Sequence, residues 1–202
     1  QAQARALEAA LARDGIAAKA FIAMRYWHPF SDGAARAVKA YNPDKIVLLP
    51  LYPQFSTTTT ASSLKDWKRA ARKAKLDTPT AEIHCYPEEL GFIPAAAAKL
   101  RATLQDAPAG PGWRLLLSAH GLPQRIIDRG DPYQRQVEQT AAAIVRELAM
   151  PELDAIVCYQ SRVGRLKWIE PATDAEIRRA GRDGKRVIVA PIAFVSEHSE
   201  TL

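Results

Sequence analysis

Cysteine is scarce in this chain: Cys85 and Cys158 are the only two among 202 residues. They lie far apart, each inside or at the end of an expected strand. They make neither a disulfide framework nor a metal knuckle, and read as small buried hydrophobes of a reducing compartment. Glycine is thin as well, with ten residues. Gly164 and the Gly181/Gly184 pair match neither the dinucleotide fingerprint nor the P-loop spacing, which disfavours a nucleotide-binding enzyme. No apolar run approaches the roughly 20 residues of a bilayer-spanning helix. No signal peptide stands at the start, and no short-period repeat marks a solenoid. The chain starts at Gln1, already inside a helical pattern, and stops at Leu202 a few residues past a strand. Both ends read as cut, so the missing targeting signals carry little weight.

What is present is the balance of a globular protein. Hydrophobic residues make up 48% and charged residues 25%, enough apolar surface to offset the entropy of ordering. The net charge of +6 and pI near 9.4 suit an anionic ligand, an anionic membrane surface or nucleic acid, or else a generic basic exterior. The charges are scattered. Their densest cluster, residues 65–75, falls on an expected helix with Trp67 and reads as a solvated face. No nucleic-acid partner is expected.

Periodicity organises the chain into alternating strands and helices. Helices are expected over residues 3–13, 31–41, 63–75, 90–104, 132–148 and 174–180. Strands are expected over 16–24, 45–51, 80–86, 114–118, 155–158 and 187–190. The run Ile46-Val47-Leu48-Leu49 reads as a strand buried on both faces. Ser63 and Asp66 fit a capping box, and Asp131-Pro132 fits a helix start. Strict alternation predicts an α/β protein with parallel sheets built from right-handed βαβ units. The segment 106–112, with two prolines and two glycines, is the expected linker. It divides the chain into domains 1–107 and 108–202.

Ligands of an open parallel sheet bind at the carboxyl ends of its strands. Arg25, Tyr26, Trp27 and His28 follow the first expected strand, and Tyr52, Gln54 and the run from Ser56 to Thr60 follow the second. His120 follows Leu117, Gln160 and Ser161 follow Cys158, and His198 and Glu200 follow the last. Three of four histidines therefore fall on one kind of rim. His120 is either an exposed imidazole able to take a proton near neutral pH or a histidine tied into a βα turn. Gly121 would let the backbone turn tightly beside it. Glu197, His198 and Glu200 can bind a divalent metal or relay protons, or form a plain polar loop. Arg25 with Tyr26 suits a flat anionic ligand or a structural pairing. The Ser/Thr loop either bonds a carboxylate or caps a helix, and Trp168 either lines a pocket or packs the core.

Six segments then carry a resemblance. They are Met24-Arg25-Tyr26-Trp27-His28-Pro29, Leu49-Pro50-Leu51-Tyr52-Pro53-Gln54-Phe55-Ser56 and Ser118-Ala119-His120-Gly121-Leu122-Pro123. The others are Arg129-Gly130-Asp131-Pro132-Tyr133, Tyr159-Gln160-Ser161-Arg162-Val163-Gly164, and the stretch from Pro191 to Leu202. In this order they resemble the bacterial ferrochelatases, with the family's beginning and end missing. The resemblance implies two Rossmann-like, chelatase-like domains, each a parallel sheet flanked by helices, with porphyrin in a cleft between them. It implies insertion of Fe²⁺ into protoporphyrin IX to form protohaem, and a cytoplasmic protein.

By that resemblance His120 is the active-site histidine and a metal contact, Glu200 the essential carboxylate and a second metal contact, and His198 its partner. Arg25, Tyr26, Ser56, Thr57, Gln160, Ser161 and Trp168 are expected to bind the substrate. Ferrous iron and porphyrin are the expected partners as substrates, with no resident cofactor. An iron–sulfur cluster is not expected, because Thr57 stands where some relatives carry a cysteine. A monomer or homodimer is expected, with room for a peripheral inner-membrane contact through the missing segments. The alternatives are another tetrapyrrole chelatase, acting on coproporphyrin or sirohydrochlorin, and a porphyrin carrier without activity.

Overall fold

The computed structural model describes residues 1–107 and 112–195. In chain order the elements are α1 (Ala2–Arg13), α2 (Ser31–Tyr41), β1 (Ile46–Leu48), α3 (Thr60–Ala74), β2 (Thr80–Glu82) and α4 (Phe92–Asp106). Then come β3 (Trp113–His120), α5 (Gln124–Asp128), α6 (Tyr133–Leu148), β4 (Asp154–Gln160), α7 (Thr173–Arg182) and β5 (Arg186–Pro191). The fold is α/β, and every strand pair is parallel.

Two compact units form, Gln1–Pro50 with Thr57–His84, and Leu51–Ser56 with the chain from Cys85 onward. This division differs from the one expected at residue 107. Helix α4 packs against α6 in the second unit, because Ile93, Ala97 and Leu100 share one buried cluster with Val137, Ala141 and Ile144. The segment 106–112 therefore connects two elements of one unit.

In the first unit, β1 pairs only with β2 among the described residues. Ala34, Ala35 and Val38 of α2 pack with Ile46 of β1 and with Trp67 and Ala70 of α3. The expected capping box is not used: α3 already starts at Thr60, and Asp66 lies within it, accepting a bond from Arg69. Val47 is 56% exposed, so β1 is not buried on both faces. Its helices cover one side of the pair. Residues 16–24 form no strand; Met24 makes an isolated bridge to Phe30 and nothing more. A strand needs a neighbouring edge to take its N–H and C=O groups, and the β1–β2 pair gives this segment no ladder.

In the second unit the sheet order is β4-β3-β5. Leu115, Leu116 and Leu117 of the central strand are at most 1% exposed, as a parallel strand covered on both faces requires. Helix α6 places Val137, Ala141, Ile144 and Leu148 in one stripe against Leu115, Leu117 and Ala119. Each large side chain so buried contributes about 1.5–3 kcal/mol of transfer free energy. Two local devices fix helix starts: Asp131 Oδ1 accepts from Tyr133 N at 3.0 Å, and Glu89 Oε2 accepts from Gly91 N at 2.7 Å and Phe92 N at 2.9 Å.

Candidate functional site

The carboxyl end of the three-stranded sheet carries several of the residues expected at the site. His120 closes β3 and pairs in register with Gln160, the last residue of β4. Neighbouring strands lie about 4.8 Å apart, so the two side chains are lateral neighbours on one face. Both residues are half-buried. The Ser118 hydroxyl, two residues below His120 on that face, donates to Gln160 Oε1 at 3.2 Å. Ser161 follows with φ of +65°, a left-handed conformation that costs a non-glycine residue energy and tends to be kept where a site demands it.

Gly121 matters for a reason other than the turn conformation expected of it. Its N–H donates to the Gln160 carbonyl at 2.8 Å. A Cβ there would stand 2.9 Å from that oxygen and 3.4 Å from Trp168 Cε3. The residue is needed for close approach of β3 to β4, and its φ lies outside the left-handed region. Trp168 is 7% exposed, and its indole N–H donates to the Val163 carbonyl at 3.1 Å. The ring packs behind the rim, beside Gly121.

The 51–56 segment is stitched into the second unit by buried polar contacts. Gln54 is fully buried and donates through Nε2 to Thr140 Oγ1 at 2.9 Å and to the Ile192 carbonyl at 3.1 Å. Phe55 N donates to Gln136 Oε1 at 2.7 Å. Ser56 Oγ donates to Asp131 Oδ2 at 3.0 Å, so this buried hydroxyl holds the loop in place. Tyr52 and Phe194 meet edge to face with centroids 5.9 Å apart. Sequence reasoning read Asp131 only as a helix start. Its second partner, Ser56, is 75 residues away, and no local pattern announces such a pair.

Arg25 and Tyr26 come together in the first unit. The Arg25 guanidinium lies 4.7 Å over the Tyr26 ring, and its Nε donates to Ser62 Oγ at 3.0 Å. Tyr26 is 75% exposed. Beside them lies an open depression of about 470 Å³, lined by Arg25, His28, Arg36 and Arg69 with Asp32 and Asp66. Arg69, then Lys73, hydrogen-bonds Asp32 and holds its carboxyl below the ordinary range. Thr57, also of this unit, is exposed. His198 and Glu200 lie outside the described residues, as does Glu197. Among the described residues no three His, Cys, Asp or Glu side chains gather as a metal site. Burial pushes the Tyr86 phenol up to about 12 and the Tyr159 phenol higher still, so neither is a base near neutral pH.

Fold and rim together define an α/β protein with polar groups at the carboxyl ends of a parallel sheet and a histidine at the tip of its central strand. The family model described as Ferrochelatase matches residues 1–202. The chain is 58% identical over 202 residues to a ferrochelatase of Caulobacter vibrioides, covering 99% of this chain and 57% of that protein. It is 56% identical to one of Phenylobacterium zucineum, covering 100% and 58%, and 50% identical to one of Hyphomonas neptunium, covering 99% and 55%. The chain belongs to the ferrochelatase family, and it spans somewhat more than half the length of these relatives.

Proposed function

We propose that the protein to which this chain belongs inserts ferrous iron into a porphyrin, protoporphyrin IX in the first instance, to form haem. The observation that carries this reading is the position of His120, at the tip of the central parallel strand beside Gln160, in a chain that matches the ferrochelatase model throughout.

Metal insertion requires two pyrrole N–H protons to leave while iron sheds its water. A flat macrocycle hides its nitrogen lone pairs, and binding energy used to bend the ring exposes them. In this reading His120 accepts a pyrrole proton. Glu200 and His198 carry protons or ferrous iron, since a mixed imidazole and carboxylate set holds Fe²⁺ without retaining it. Arg25 and Tyr26 present charge and an aromatic face to the ring on the side where metal enters. Gln160 and Ser161 hold its polar edge. Thr57 offers an oxygen where a cluster ligand would need a thiolate, so we read the protein as working without an iron–sulfur cluster. No helix among the described residues is long and apolar enough to cross a membrane.

The test uses the full-length protein with free-base porphyrin and Zn²⁺ as a surrogate metal, followed by fluorescence. Free-base emission should decay as metalloporphyrin emission grows. His120→Ala should bind porphyrin almost as the wild type does and insert metal at least about 100-fold more slowly, the usual worth of a positioned proton acceptor. Stable free-base emission with the wild type would make the protein a carrier. Normal turnover by His120→Ala would remove the proposed proton acceptor.

A further inference from the structure

Ser118, Cys158 and Thr173 form a buried polar group with no part in the proposed chemistry. It lies on the sheet face that α7 covers. Strand alternation puts Leu116, Ser118 and His120 of β3 and Ile156, Cys158 and Gln160 of β4 on that face. Ser118, 1% exposed, donates to Gln160 Oε1 and stands 3.1 Å from Thr173 Oγ1 at the start of α7. Thr173 Oγ1 is in turn 3.2 Å from Cys158 Sγ. Burial pushes the Cys158 thiol up, so it keeps its proton.

A hydroxyl has a single proton to give. That of Ser118 goes to Gln160 Oε1, so the Ser118–Thr173 contact is made by the proton of Thr173. The same Thr173 proton is within donating reach of Cys158 Sγ at 3.2 Å, so Thr173 shares it between the Ser118 oxygen and the thiol sulfur. The relay thus runs from the core toward the rim and ends on the carbonyl half of the Gln160 amide. The other half, Nε2, makes no hydrogen bond among the described residues, on a half-buried side chain next to His120. An amide whose oxygen is tied inward presents its two N–H donors outward.

We propose that Ser118, backed by Thr173, is a positioning residue that turns the Gln160 amide so that its NH₂ faces the rim beside His120 as a donor to the bound ligand. The identity of that ligand, a tetrapyrrole with acceptor atoms at its edge, rests on the function proposed above. Without the relay the amide can rotate and offer its carbonyl instead, which repels the same acceptor.

The experiment measures porphyrin affinity of the full-length protein by fluorescence quenching, with KM and kcat for Zn²⁺ insertion. Ser118→Ala and Gln160→Ala should each weaken porphyrin binding by about tenfold, the worth of one lost directional hydrogen bond. The loss should appear in the KM for porphyrin and leave kcat nearly unchanged. The double variant should bind no more weakly than Gln160→Ala alone, because the first residue acts only through the second. Thr173→Val should weaken binding in the same sense, and Thr173→Ser, which keeps the hydroxyl, should restore it. That pair decides the same point should Ser118→Ala fail to fold. Wild-type affinity in Ser118→Ala, or losses that multiply in the double variant, would overturn the relay while leaving the function intact. A wild type that binds no porphyrin would overturn both.

Discussion

The two units of this chain contain strands of nearly the same composition that meet opposite fates. Ile46-Val47-Leu48 in β1 and Leu115-Leu116-Leu117 in β3 are both unbroken apolar triplets. In β3 all three side chains are at most 1% exposed, whereas Val47 of β1 is 56% exposed. The difference comes from neighbours. Strand β3 is central, with a parallel partner on each side. Helices α4 and α6 pack on one face of its sheet and α7 on the other. Among the described residues strand β1 has one partner, and its two helices share one side. An apolar run therefore reports the capacity to be buried, and the number of layers around it decides whether both faces are.

The largest effect that could break this comparison is a truncation on each side of it. Leu117→Ala should cost about 2–5 kcal/mol, the range for a leucine removed from a close-packed core. Val47→Ala should stay within roughly 0.5 kcal/mol. Chemical denaturation measures both, and equal losses would mean that the two sheets are equally enclosed.

Glycine sharpens the contrast at the next scale. Gly121→Ala forces a Cβ to 2.9 Å from a backbone oxygen and should cost about 1–3 kcal/mol. In α2, Gly33 has nothing within 4 Å of its would-be Cβ, so Gly33→Ala should stabilise by about 0.5–1 kcal/mol through better helix propensity. A stable Gly121→Ala protein with unshifted melting would show that β3 and β4 can part at the rim without cost.

The smallest expected effect is electrostatic. Asp154 in the second unit is held below the ordinary carboxylate range by Lys185 and then, against the cost of burial, by Arg114. Asp32 in the first unit is held low by Arg69 and Lys73. A carboxyl with a lowered folded pKa stabilises above its unfolded value, about 3.9, and that contribution is lost as pH falls through the folded value. Both variants to Asn should therefore flatten the acid limb of the stability curve below about pH 5. The Arg114 side chain is 5% exposed and that of Arg69 47%. Added salt near 1 M, with a screening length of about 3 Å, should erase the Asp32 effect and leave most of the Asp154 effect. Equal salt sensitivity would show the second unit's pair to be as solvated as the first's.

Much of the architecture was legible before any coordinate. The helix over residues 31–41 has the bounds its periodicity predicts, and α6 shows its buried stripe as a plain 3.6-residue period. Strand β3 was announced by three consecutive leucines but runs two residues further, to His120, because the Gln160 edge of β4 accepts it there. Residues 16–24 looked like a strand and are not one, since hydrogen-bond partners cannot be read from a single segment. The capping signal at Ser63 lost to an earlier start at Thr60.

At the candidate site the pattern was similar. The strand-end rule singles out His120, Gln160 and Ser161, and the β3–β4 pairing sets His120 beside Gln160. It also buries Ser56 against Asp131 and Trp168 behind Gly121, pairings between residues 75 and 47 positions apart respectively, which composition and period do not encode.

The sequence by itself determined the alternation of strands and helices, the parallel sense of the sheets and the placement of polar groups after strand ends. Those follow from local periodicity and backbone chemistry. Tertiary structure alone decided which apolar strand has both faces covered, which hydroxyls serve the fold, and which way the Gln160 amide is held. Those outcomes depend on partners brought together from distant parts of the chain, where a single proton or a single missing Cβ sets the geometry.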